Sequence, residues 1–181
     1  MTLCRKAQEA FEAFLEMPVV PFGQLYGGKI CAALDRQHPR DIFDVKYLLE
    51  EEGFSDEVRT GFIFSLVSSA RPMHELLNPN FLDQQEATAK QFLGMSEEAF
   101  SYQEYENIRE KLVQTIRSGL SAYDRKFLLS VTDLAPDWGI YDFKKFPAVQ
   151  WKLHNLSVLK SKDTEKYKAM LRALEDTLQV G

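Results

Sequence analysis

Hydrophobic positions along most of this chain recur every three or four residues, the spacing of one helical face. Over 56–69, Val58, Phe62, Ile63, Leu66 and Val67 share a side, and Ser55 stands at the N-cap position. Over 101–118, Tyr105, Ile108, Leu112, Val113 and Ile116 form a second stripe, opened by the capping box Ser101-Tyr-Gln-Glu104 and stopped by Gly119. Further helices are expected over 3–15 (Ala7, Ala10, Phe11 and Phe14 on one side), 83–93, 121–131, 147–159 and 163–178. Arg71-Pro72 and Asn78-Pro79-Asn80 break the pattern. The aromatic stretch 132–146 reads as a packed loop, since linkers lack aromatics. Only 17–22, β-branched and bounded by prolines, reads as a strand, and one strand needs partners from elsewhere. The expected fold class is mainly α, a helical-bundle-like portion with one short N-terminal strand.

Between Leu25 and Leu49 the pattern contradicts itself. Two helices separated at Gln37-His38-Pro39 are expected, with Pro39 in the first turn of the second and Gly53 at its stop. At about 100° per residue, Lys29 and Arg36 fall in the arc of Leu25, Tyr26, Ala32 and Ala33, while Gln24, Gly28 and Asp35 form the polar seam. In the second helix Asp41 falls between Val45 and Leu48, with Asp44 at the edge and Lys46 and Glu50 toward solvent. Charges on core-facing arcs are costly unless paired or used. Two cations and two carboxylates so placed predict a site.

Composition narrows the choices. The chain has 181 residues, 45% hydrophobic and 27% charged, enough for one domain with a core or two small ones. A net charge of −5 argues against a generally basic nucleic-acid binder. No apolar run approaches the ~18 residues of a membrane span, and the first residues lack a signal-peptide core. Cys4 and Cys31 show no metal-ligand spacing, and Cys31 reads as a buried free thiol, so a cytoplasmic protein is expected.

Lys29 is a candidate phosphate ligand, with Gly27 and Gly28 letting a ligand approach closely. It is equally a candidate for a structural ion pair with Asp41 or Asp44, and the glycines for tight helix packing. Asp41 and Asp44, three residues apart, are neighbours on one helix face. Such a pair holds a divalent metal, accepts a proton, or merely balances Arg36 and Arg40; Arg40 and Asp44 have the spacing of an intrahelical pair. His38 reads as a helix-end residue, and His74 and His154 are isolated. Lys144, Lys145, Lys160, Lys162, Lys166 and Lys168 make either a weak basic surface for RNA or, more commonly, a solvated face. No P-loop, nucleophile elbow or His-Glu-x-x-His motif is present.

The series Leu25, Tyr26, Gly28, Lys29, Ala32, Ala33, Leu34, Asp35, Arg36, Pro39, Arg40, Asp41 and Asp44 resembles the AbiEii/AbiGii toxin family of nucleotidyltransferases. The likeness extends through Arg71-Pro72, residues 75–80, Pro136-Asp-Trp138 and residues 149–153. It implies a fold related to polymerase-β-type nucleotidyltransferases and the toxin half of a toxin–antitoxin or abortive-infection pair. Such enzymes use Mg2+ and a nucleoside triphosphate (NTP), and some act on tRNA. By matching position, Lys29, Arg36 and Arg40 bind the nucleotide, and Asp41 and Asp44 are catalytic. The family's first motif, a Gly-Ser turn and an Asp-x-Asp pair, is absent. The resemblance therefore implies the C-terminal portion of such an enzyme, with 1–53 a core remnant carrying the motif and 54–181 a C-terminal helical domain. Its expected partners are a missing N-terminal half, a cognate antitoxin of the transcriptional-regulator kind and a tRNA acceptor. Alone it is expected to hold no metal and be inactive. The alternative is a non-catalytic helical module that binds an antitoxin or RNA.

Overall fold

The computed structural model describes residues 5–12, 18–92 and 94–179. Their α-helices are α1 (Arg5–Phe11), α2 (Phe22–Arg36), α3 (Pro39–Tyr47), α4 (Asp56–Ser68), α5 (Met73–Leu77), α6 (Gln85–Ala87), α7 (Tyr102–Gly119), α8 (Ala122–Thr132), α9 (Pro147–Lys162) and α10 (Thr164–Gln179). The fold is mainly helical, as the hydrophobic spacing predicts, and no strand occurs among the described residues. Caps set the starts. The hydroxyls of Ser55 and Ser101 accept from the amides of Val58 and Glu104, and Ser121 with Asp124 closes a full capping box.

The centre of the molecule is the pair α2 and α4. Gly23 and Gly27 of α2 meet Gly61 of α4 so closely that a Cβ at Gly27 would collide with the backbone of Gly61 and Phe62. Glycine inside a helix costs roughly 0.5–1 kcal/mol against alanine. Here that cost is offset by the approach of the two backbones, which lets Ile30, Ala33, Phe62, Ile63 and Leu66 join one buried cluster. Tyr105, Leu112 and Ile116 of α7, Phe127, Leu128 and Val131 of α8, and Leu174 and Leu178 of α10 complete it. The 132–146 loop is packed, as its aromatics predict: Tyr141 and Phe143 lie 5.1 and 5.8 Å from the Phe127 ring.

Three expectations change. Residues 18–21 of the proposed strand have no regular structure, and Phe22 already opens α2, its first turn closed by the Leu25 amide on the Pro21 carbonyl at 2.9 Å. Met17 lies outside the described residues. The N-terminal helix is described only as α1, where Phe11 is exposed; Phe14 and Leu15 lie outside the described residues. The helix expected over 83–93 is the single turn α6 continued by a π-helical turn over Thr88–Phe92, with Leu93 outside the described residues. A π-helical turn over Leu48–Glu52 also carries α3 to Gly53, where φ is +68°.

Candidate functional site

α2 ends where Gln37 adopts a left-handed conformation, and Pro39 starts α3 in the favoured first position. His38 caps α3, accepting from the Arg40 amide at 3.2 Å, which is the helix-end role its place before proline predicts. The two helices fold back on one another and join their charges crosswise. Lys29 Nζ donates to Asp44 at 2.5 Å, and Arg36 donates to Asp41 at 2.8 Å. Asp44 thus takes Lys29 rather than Arg40. Arg40 is exposed, approaches the Met95 sulfur at 3.4 Å, and has no carboxylate partner among the described residues.

These charges do not face the core. Lys29 and Asp44 side chains are 38% and 43% exposed, Arg36 63%, and only Asp41, at 17%, is largely covered. The buried face of α2 is Gly23, Gly27, Ile30, Ala33 and Leu34. Hydropathy spacing scores glycine as neutral and leucine as core, so it turned the helix the wrong way. The glycines point inward because only they admit α4 so closely, and Phe22 and Leu25 are left exposed beside Lys29. Gly28 differs from Gly27: no described heavy atom lies within 4 Å of where its Cβ would stand. In α3, Lys46 is not solvated but covered, donating to Glu104 at 2.7 Å; that bond raises its pKa.

A buried support holds the turn. Arg109 of α7 donates to the Leu82 carbonyl at 2.7 Å and Gln37 Oε1 at 3.4 Å, under the Phe81 ring. Tyr105 donates to the Gln37 carbonyl at 2.7 Å. Arg36 and Asp41 flank that fixed residue. Sequence reasoning missed Arg109, yet the signal was present: it falls between Ile116 and Val113 in the arc of the α7 stripe.

The donor set fits phosphate better than a metal. Each aspartate already holds a cation, and no three His, Cys, Asp or Glu side chains converge among the described residues. Two half-exposed cations and the unpaired Arg40 suit an anion with several oxygens. Cys31 is a free thiol, partly buried, and burial pushes its pKa up. Cys4 lies outside the described residues.

Comparison with known proteins agrees with the motif. The family model of the nucleotidyl transferase AbiEii toxin, type IV TA system, matches residues 2–155. No curated protein and no solved structure matches. The chain belongs to the AbiEii family, so it is a toxin of the type IV toxin–antitoxin class, whose system implies an antitoxin partner. No helix among the described residues is long and apolar enough to cross a membrane.

Proposed function

We propose that the α2–α3 hairpin is the phosphate-binding part of a nucleotidyl transfer site acting on a nucleoside triphosphate, with tRNA as acceptor. The observation that carries this is the crosswise pairing of Lys29 with Asp44 and Arg36 with Asp41 on an open face, with Arg40 unpaired beside them. Exposed ion pairs are worth only about 0–1 kcal/mol, so an incoming triphosphate exchanges with them at little cost. Lys29 and Arg36 then turn to phosphate oxygens and Arg40 adds a third charge, stabilising negative charge as the acceptor hydroxyl attacks the α-phosphate, the α–β phosphoanhydride bond breaks and pyrophosphate leaves. Asp41 and Asp44, released, orient the cations and the acceptor hydroxyl.

The Mg2+ that such transfer uses is not assigned to residues of this chain. Its carboxylates belong to a missing N-terminal half, which supplies the Gly-Ser turn and Asp-x-Asp. Residues 1–53 carry the motif as a remnant of the transferase core, and the helices of 54–181 pack against it. The exposed side chains of Val19, Val20, Phe22 and Leu25 favour a partner surface beside Lys29. That observation also supports a second reading, in which the same face binds only the antitoxin in the cytoplasm, without catalysis.

Calorimetric titration of the 181-residue chain with a nucleoside triphosphate tests the first reading. Weak binding is expected, lost in Lys29→Ala and Arg36→Ala while thermal stability is retained. Binding that both variants keep would overturn it. Label transfer to tRNA by this chain alone would overturn the assignment of the metal-binding carboxylates elsewhere.

A further inference from the structure

The charge of the molecule is unevenly spread. Residues 143–162 hold five lysines and no acid, in a chain whose net charge is −5. Lys152 is used internally: buried in α9, it donates to the carbonyls of Ser69 at 2.8 Å and Arg71 at 2.5 Å, closing the end of α4. The other four are exposed, and none forms an ion pair among the described residues. The acids that follow the stretch are already engaged, whereas Asp142, just before it, is exposed. Asp163 accepts from the Lys166 amide, and Glu165 holds Lys168 at 3.1 Å.

On the outer face of α9, Trp151 is 64% exposed. It stacks on His154 with ring centroids 5.4 Å apart and planes at 25°. A tryptophan fixed in this way and left in water forgoes the burial that ordinarily stabilises such a ring. Gln150 donates to the Lys144 carbonyl at 2.6 Å, which folds the Lys144-Lys145 loop back against the helix beside Trp151. Lys162 lies three turns further along the same face, about 16 Å away at 1.5 Å per residue.

We propose that this face of α9 binds single-stranded RNA, a base stacking on Trp151 while Lys144, Lys145 and Lys162 meet phosphates. Positive charge alone would suit any polyanion. A flat ring already stacked and open on one side suits a polymer with a π-face between charges, which is the chemistry of single strands. The exposed amide of Asn155, one residue beyond His154, provides a donor and an acceptor for a ribose hydroxyl. The proposal deepens the acceptor part of the transfer reading, yet RNA binding is measurable without transfer.

Fluorescence anisotropy of labelled oligouridylate, titrated with the full chain at low salt, is the test. Salt-dependent binding is expected, with a log–log slope near −2 for three phosphate contacts at about −0.7 each. Trp151→Ala should weaken binding by about tenfold, the order of one lost base stack. Lys144→Gln and Lys145→Gln should each reduce the slope, and all three variants should keep the parent Tm, since the residues are exposed. No binding at low salt, or equal affinity in Trp151→Ala, overturns the proposal. So do tighter binding to polyglutamate or anionic vesicles, and binding to the matching DNA oligomer as tight as to RNA. Triphosphate binding without RNA binding would sink this surface and leave the α2–α3 reading standing; the reverse would do the opposite.

Discussion

Two sets of charges in this molecule are treated in opposite ways. Asp124, Arg109 and Lys152 are buried and tied to fixed partners in other elements. Lys29, Arg36, Asp41 and Asp44 are paired two by two at the rim, where water reaches three of the four. Burying an ion costs several kcal/mol after relaxation, so it persists only where its partners satisfy it continuously. Rim pairs are cheap to make and cheap to exchange. The interior set therefore reads as architecture, and the rim set as groups free to change partners when a ligand arrives.

The sharpest way to break that division is at Asp124. Its carboxylate is 1% exposed. It accepts from the Ser121 amide and hydroxyl and from Tyr141, and holds Arg59 at 3.2 Å. Burial, then the bond to Asp124, pushes the Tyr141 pKa up to about 12. Asp124→Ala removes the anion that α4, α8 and the 132–146 loop share. Urea unfolding should show a loss of about 3–5 kcal/mol, as for other broken buried pairs. A loss below 1 kcal/mol would put Asp124 with the rim set.

Gly27 offers the next largest effect. Alanine there must push apart two helix backbones rather than a flexible side chain. Overpacking of this kind costs typically 1–3 kcal/mol, against a helix-propensity gain below ~1. A lowered urea midpoint is expected in Gly27→Ala, and an unchanged one would mean that α2 and α4 separate freely.

Lys152 gives a test by pH. Burial lowers its pKa from 10.5 to about 8, and the nearby Glu75 carboxylate only partly opposes that. Between those values the unfolded chain binds more protons than the folded one, so stability attributable to Lys152 rises with pH from about 8 to 10.5 and is absent below. In Lys152→Met that rise should vanish from the stability–pH curve. Parallel curves for the two proteins would mean that this ammonium is solvated and belongs with the exposed set.

Helix existence was legible because most helices here bury ordinary stripes, and three of them, α4, α7 and α8, begin at serine caps. The helices expected over 147–159 and 101–118 needed nothing from outside their own sequence, and the structure forms them over Pro147–Lys162 and Tyr102–Gly119. The orientation of α2 was not legible, because its contact with α4 is made by absent side chains. The same arc test that misplaced Lys29 points correctly to Arg109 beside Ile116 and Tyr105, and to Lys152 between Leu156 and Leu159, where large residues do mark the inner face. The candidate site residues therefore rest on the family motif and on an arc argument that erred in direction. Their crosswise pairing came only with the fold, since it depends on where Gln37 turns the chain.

Gly28 sharpens the contrast to its finest point, because it sits beside Gly27 and has none of its packing. A methyl group at Gly28 meets open space. Alanine should therefore stabilise α2 by about 0.5–1 kcal/mol, through helix propensity and a less mobile unfolded chain. If the face beside Lys29 serves only the fold, Gly28→Ala is a gain with no loss. If a triphosphate or a partner backbone comes close there, the same methyl stands in its way. The expected outcome is a raised urea midpoint together with weaker triphosphate binding than in the parent, measured on one preparation. A raised midpoint with binding unchanged would show that the approach to Lys29 does not pass over Gly28. A lowered midpoint would mean that α2 is not open on this side, and the exposed character of the whole rim set would fall with it.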